Sequence, residues 1–480
     1  MLTARGQRGV GDDLVTPLRR ALMSFVMLAA VALIFVQPVW LVLSASAALA
    51  LFLALCWRQF SVGTWVPVIL SLAGLALALH RGVPATVLTE AAERMLFLAA
   101  LIAMLGTLRS AASLAPEVGR AGVFLTGQPA SRRYLALNFG GHLFGVLINF
   151  GGLALLLDLA SRSMTSEATA KLPPEAQEAK LRRMTMAILR GFGMISLWSP
   201  FGFATNAILI TLPGISYVQF GPIGFAMSFV FVAIGWAFDR WQGRRFRQMG
   251  LPRPSPPANA WIGAAILVGH VVTLGAVVFL LHGISTLGFQ QALIIAVPVY
   301  SVIWAAVSTR AQPAGPAAGM AQVARATWRR LSGMGAEVGV FASAGFLPVI
   351  LLALIPVDDL RAAVAMLGLG AVTMALGLAV SIVLLAMLGV NPIVSASVLG
   401  AIAVQLAVPG LSETAIALAI TGGWTTVIGL SPFMTTIIIC AAIIDRPVGL
   451  VGPVWNGPYC LTILAVWSVL LSSLMISGAI

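Results

Sequence analysis

The sequence predicts an all-α polytopic membrane protein, with about eleven transmembrane helices and two re-entrant helical hairpins arranged as an inverted repeat. Three observations predict it. Of 480 residues, 60% are hydrophobic and only 9% are charged, whereas a soluble domain needs roughly a quarter of its residues charged to cover its surface. Mean hydropathy is +1.01, so the lipid bilayer must be the solvent for most of that surface. At about 20 apolar residues per crossing, the length allows roughly ten to thirteen spans. The third observation is a pair of matching interruptions, one in each half of the chain. Together these exclude a soluble enzyme, a nucleic-acid-binding protein and a disulfide-stapled secreted domain.

The elements follow from apolar runs and their polar breaks. Spans are expected near 21–37, 39–57, 64–80 and 95–108, then an amphipathic stretch at 116–133. An interrupted apolar stretch at about 134–160 precedes a polar loop at 161–184 and a second interrupted stretch at about 185–216. A span at 221–238 closes the first half. Residues 239–258 are basic and then proline-rich, the strongest linker signal in the chain. Spans at 259–282 and 288–307, an amphipathic stretch at 318–335 and a span at 337–356 follow. Interrupted stretches at 363–405 and 413–444 lead to a last span at 457–478, the second hairpin being placed at about 371–405. This divides the chain into N-terminal scaffold helices (1–94), a first repeat (95–240), a linker with scaffold helices (241–336) and a second repeat (337–480).

Charge supports the two hairpins. Lys and Arg collect in cytoplasmic loops of membrane proteins. If 134–160 and 371–405 enter and return without crossing, the basic loops all fall on the side of the Arg-rich N-terminus. Only Arg81, Arg94 and Arg361 then lie opposite, beside Glu90, Glu93, Asp358 and Asp359. The expected location is a bacterial cytoplasmic (inner) membrane, with the N-terminus cytoplasmic and the C-terminus outside. The net charge of +13 therefore reads as topology, not as a nucleic-acid footprint. Cys56, Cys440 and Cys460 form no CxxC pair, and the four histidines lack a second ligand at helical spacing, so no transition metal is expected.

Two segments recur. Residues 145–153 read GVLINFGGL and 196–206 read SLWSPFGFATN, while 389–397 read GVNPIVSAS and 427–436 read VIGLSPFMTT. Asn149 corresponds to Asn391 (391 − 149 = 242) and Ser199-Pro200-Phe201 to Ser431-Pro432-Phe433 (431 − 199 = 232). Proline removes a backbone donor and clashes with the preceding turn. Lipid offers no water to the groups so freed, so a broken helix at membrane depth must border a cavity or be buried in protein. Freed half-helix N-termini suit anions, and freed carbonyls and hydroxyls suit Na+. Paired breaks in two inverted halves point to the midplane site of a transporter.

At these residues the layout resembles the ion transporter superfamily, in particular the divalent anion/sodium symporters and, more distantly, the arsenite and citrate permeases. It covers about residues 95–240 and 337–478 as span, horizontal helix, hairpin, unwound helix and span, then the inverted copy. Members of that superfamily carry Ser-Asn-Thr at each hairpin tip. Here the tips read Ile148-Asn149-Phe150 and Val390-Asn391-Pro392, keeping the Asn without the flanking hydroxyls. The resemblance implies a small anionic substrate, a carboxylate or oxyanion, held at Asn149, Asn391, Ser199, Thr205, Asn206, Ser431, Thr435 and Arg190. It implies Na+ at the hairpin tips, with Asn149, Gly151, Ser199, Asn391, Thr425 and Ser431 as contacts, and a homodimer. Na+ (or H+) as the coupling ion would be the only cofactor.

Each residue also has a plainer reading. Asn149 and Asn391 could cap the second hairpin arms, and Ser or Thr in a membrane helix often bonds to its own backbone. Arg190 lies inside the helix before the first break, where an arginine is costly. It could attract an anion, pair with Asp158 as a gate, or snorkel to the surface. Glu413 complements a helix N-terminus, His142 reads as packed, and Trp198 and Trp424 flank the breaks. No ATP-binding loop of the GxxxxGK[ST] kind is present, so transport would run on a gradient. The alternatives are a passive channel, or a membrane-embedded glycan or lipid transferase or flippase-type protein. The transferase lacks support, because the loops carry no constellation of paired acids, His and Arg.

Overall fold

The computed structural model of the protein describes residues 10–165, 169, 172–244, 259–313 and 315–480, with side chains from residue 15. Every regular element among them is a helix. Nine of these helices are long and apolar enough to cross a membrane, or ten if the bent pair Val357–Met366 and Ala371–Met387 is one span. The count of about eleven differs for a simple reason. Val39–Leu55 has only 17 residues, and the helix expected at 413–444 is split into Glu413–Ile428 and Thr435–Ile444, each short by itself. The chain is a multi-pass, all-α membrane protein. Most of the linker at 239–258 lies outside the described residues.

The helices form two compact units, Met1–Ala111 with Ser285–Ile355, and Ala112–Ile284 with Pro356–Ile480. The four sequence segments cut across them. Ala85–Ala112 is one continuous helix through the boundary drawn at residue 94, and it packs on Gly335–Leu354, where a Cβ on Gly345 would lie 2.4 Å from the Arg94 carbonyl oxygen. Both therefore belong to the first unit. Its helices also include Val10–Phe35, Val62–His80 and Phe289–Thr309. A buried Thr107–Ser301 hydroxyl contact of 3.1 Å joins two of them. The amphipathic stretch forms the helix Gly315–Leu331, in which burial and the nearby Arg109 push Arg330 down to about 10 against the pull of Glu337.

The second unit holds both hairpins. Its amphipathic helix is Pro116–Thr126, shorter than the 116–133 expected because Gly127 and Pro129 end it. Trp261–Ile284 packs on this helix, with Gly263 so close that a Cβ would lie 2.7 Å from the Ala121 nitrogen. The first hairpin has a rising arm, Arg133–Ile148, and a returning arm, Phe150–Arg162. Pro174–Gly193 and Ile195–Trp198 lead to the first break, and Phe203–Thr211 continues beyond it. Tyr217–Gln242 completes the first half.

In the second half, Val357–Met366 is a separate helix that sequence reading merged into 363–405. It meets Ala371–Met387 at 114°, across a turn where Gly368 takes a positive φ of 61°. The second hairpin rises as Ala371–Met387 and returns as Pro392–Leu406. Arg361 caps the returning arm by donating to the carbonyls of Gln405 (2.9 Å) and Leu406 (3.3 Å). A π-helical turn, Leu450–Asn456, opens the last helix, Gly457–Ile476.

Candidate functional site

Each hairpin is bound to the broken helix of its own half by a close glycine contact. A Cβ on Gly191 would lie 1.9 Å from the Asn138 carbonyl oxygen, and one on Gly423 would lie 2.6 Å from that of Ala379. The first separation, 423 − 191 = 232, equals that of the Ser-Pro-Phe tripeptides, and the second, 379 − 138 = 241, is one short of the 242 between the tip asparagines. Small residues let helix backbones approach in lipid, and Gly141, set against the Ile188 carbonyl, extends the first contact. The returning arms then exchange partners. Phe150–Arg162 packs on Thr435–Ile444, and Pro392–Leu406 packs on Phe203–Thr211. Each hairpin thus touches the far side of the other half's break.

The hairpin tips are built by their asparagines. Asn149 takes a positive φ of 54°, and its Oδ1 accepts from the Phe150 amide at 2.8 Å. Asn391 Oδ1 accepts from the Ile393 amide at 3.1 Å, beside Gly389 at φ 92°. Both therefore cap the returning arm, as Asn commonly does. Capping uses only the oxygen: each Nδ2 has no partner among the described residues. Gly151, half-buried, lies two residues beyond the first tip.

The two breaks differ. At the first, Asn206 Nδ2 donates to the carbonyls of Pro200 (3.1 Å) and Gly202 (2.9 Å), and the Tyr217 hydroxyl donates to that of Trp198 (2.8 Å). These carbonyls are satisfied, but Ser199 Oγ, Thr205 Oγ1 and Asn206 Oδ1 are buried without a partner among the described residues. At the second, Ser431 Oγ donates to the Ala386 carbonyl (2.7 Å) and accepts from the Phe433 amide (3.2 Å). Thr436 donates to the Ile428 carbonyl and Asn456 Nδ2 to that of Gly429 (3.0 Å). Ser431 is thus committed to the backbone, and Thr435 is exposed.

Three more unpartnered hydroxyls belong to elements packed on the first break: Ser395, Ser397 and Thr425. Gly400 of the returning arm faces Thr211, and the Gly214 amide after that half-helix donates to Glu413 Oε2 (2.9 Å), just past the arm's end. Thr425 stands on Glu413–Ile428 where Gly193 approaches, a Cβ there lying 3.8 Å from the Thr425 carbonyl oxygen. Sequence reading missed Ser395 and Ser397. The signal was their place in the first two turns after the Asn391 tip.

Arg190 is 3% exposed. Its Nε donates to Asn456 Oδ1 (2.8 Å), Nη1 donates to the Gly235 carbonyl (3.3 Å), and the guanidinium covers the Tyr459 ring at 4.4 Å. It neither snorkels nor meets Asp158, which pairs with Arg162 one turn away (2.8 Å). Through Asn456, a residue sequence reading passed over, Arg190 is tied to the second break. The Tyr134 hydroxyl lies beside the same guanidinium. His142 is packed, Nδ1 lying 3.2 Å from the Gly191 carbonyl and the ring stacked on Trp198 at 5.5 Å. Among the described residues no three His, Cys, Asp or Glu side chains converge as metal ligands do.

No family model matches the chain, and no curated protein matches it. Among solved structures it is similar to the crystal structure of the YdaH transporter of Alcanivorax borkumensis, described as having an unusual topology. The TM-score is 0.62 at 19% identity, over 87% of this chain and 98% of that one. At that identity the likeness is one of fold alone.

Proposed function

We propose that the protein is a secondary transporter that moves a small anion, a carboxylate or oxyanion, across a bacterial cytoplasmic membrane by alternating access, coupled to Na+. The observation that carries this reading is the set of buried, unpartnered oxygens at the first break and on the elements packed against it: Ser199, Thr205, Asn206, Ser395, Ser397 and Thr425. An unpaired buried polar atom costs about 1–3 kcal/mol. Six of them on adjoining elements of a membrane protein have a physical reason if a ligand completes them. Hydroxyl and amide oxygens suit Na+. The N-terminus of Phe203–Thr211 and the free amides of Asn149 and Asn391 suit an anion.

Na+ is preferred to H+ because none of these six groups titrates near neutral pH. We read the halves as inverted copies, on the recurring glycine contacts and exchanged returning arms, and we place the N-terminus in the cytoplasm on the distribution of arginines. This layout, with Asn at both tips, also supports a place near the ion transporter superfamily. The test is thermal unfolding of purified protein in Na+ or K+ with a panel of small carboxylates and oxyanions. A ligand at 100 times its Kd adds about 2.7 kcal/mol to apparent stability. A Na+-dependent rise that one anion enlarges is the expected result, and a response equal in K+ and indifferent to every anion would refute the reading.

A further inference from the structure

A second polar feature lies at the foot of the first hairpin, away from the breaks. A cavity of about 30 Å³ is lined by Arg133 and Tyr134 of the rising arm, Lys180 and Arg183 of Pro174–Gly193, and Asp239 of Tyr217–Gln242. Arg183 and Asp239 neutralise each other in a two-pronged pair, Nε to Oδ1 at 2.7 Å and Nη2 to Oδ2 at 2.6 Å. Among the described residues Lys180 donates only to a neutral acceptor, Thr169 Oγ1, at 2.6 Å. Arg133 has no hydrogen-bond or ion-pair partner among the described residues. The cavity wall therefore carries two positive charges in excess, and they repel each other across it. Tyr134, 4% exposed, completes the wall, with its hydroxyl set against Gly235 and beside Arg190.

Taking a charge out of water costs several kcal/mol unless an opposite charge and hydrogen bonds replace the solvent. Among the described residues one carboxylate serves three cations, and the unmet donors are an arginine fork and an ammonium. That set matches the oxygens of a tetrahedral anion. The space agrees: about 10–15 Å³ holds one water, so the cavity admits one compact oxyanion and excludes a nucleotide or an extended dicarboxylate.

We propose that this cavity is an anion site separate from the broken helices, taking a phosphate-class oxyanion between Arg133 and Lys180. The oxyanion comes either from free phosphate or from the headgroup of an anionic phospholipid. The site does not depend on the transport reading, because none of its groups lies at a break or hairpin tip.

The test uses the full chain in neutral detergent. Inorganic phosphate is titrated against gluconate at constant ionic strength, following the unfolding temperature, and the same protein is then placed in bicelles with phosphatidylglycerol or with phosphatidylcholine alone. Phosphate is expected to stabilise saturably. Arg133→Gln and Lys180→Met should each weaken half-saturation at least tenfold, with Arg132→Gln as the exposed control. Relief of repulsion should also raise the unfolding temperature of both variants in gluconate, so a lost response cannot be mistaken for failure to fold. Stabilisation by phosphatidylglycerol alone, lost in the same variants, assigns the site to a lipid headgroup. No response to either source, or a response the variants leave intact, overturns the proposal.

Discussion

At the first break Ser199, Thr205 and Asn206 each keep an oxygen without a partner, whereas at the second Ser431 and Thr436 donate to backbone carbonyls and Asn456 closes the remaining one. Both breaks carry the same Ser-Pro-Phe tripeptide. The difference arises in what surrounds them. Asn206 serves the first break's carbonyls with its own amide, which leaves the hydroxyls unused. The second lacks an Asn at that place and uses its hydroxyls for the same task. A helix break in lipid must satisfy its backbone somehow. Which side chain does so decides whether the break has groups to spare for a ligand.

The largest effect is expected at the shared glycine contacts. Gly191→Val and Gly423→Val each drive a side chain into a backbone carbonyl, and each should cost more than about 4 kcal/mol, read as loss of monodisperse protein by size-exclusion chromatography. If only one collapsed, the halves would not be equivalent in packing. Next comes Asn456→Ala, which strips a partner from buried Arg190 and from the Gly429 carbonyl. A loss of about 3 kcal/mol in unfolding free energy is expected. Smaller again is Ser431→Ala, at about 1 kcal/mol for one hydrogen bond. Thr435→Ala, at an exposed position, should stay within about 0.5 kcal/mol, and a larger loss would show that the exposed N-terminus of that half-helix is in use.

Much of this was legible in sequence, for reasons tied to particular residues. Pro67, Pro222, Pro298 and Pro348 sit inside continuous helices, but Pro200 and Pro432 recur in one Ser-Pro-Phe tripeptide beside glycines, and Asn149 and Asn391 cap the arms that follow them, so breaks and tips could be placed by number. Ser395, Ser397 and Asn456 could not be recognised, because a hydroxyl or amide on an apolar helix looks the same whether it serves backbone or ligand. Arg190 stood out as costly, but its partners lie 45 and 266 residues away, beyond any local pattern. The helix Val357–Met366 was hidden because its composition runs smoothly into the next, and only the positive φ at Gly368 separates them.

The central claim is that the first break binds and the second holds. Its most direct test is a Na+ titration, followed by thermal unfolding, of the unaltered protein, Thr205→Val and Ser431→Ala side by side. Thr205→Val loses no hydrogen bond, so its stability without Na+ should change by less than about 0.5 kcal/mol while the Na+ response disappears. Ser431→Ala should start about 1 kcal/mol lower and keep the response. A Na+ response that survives in Thr205→Val and vanishes in Ser431→Ala would contradict the account and move the site to the second break.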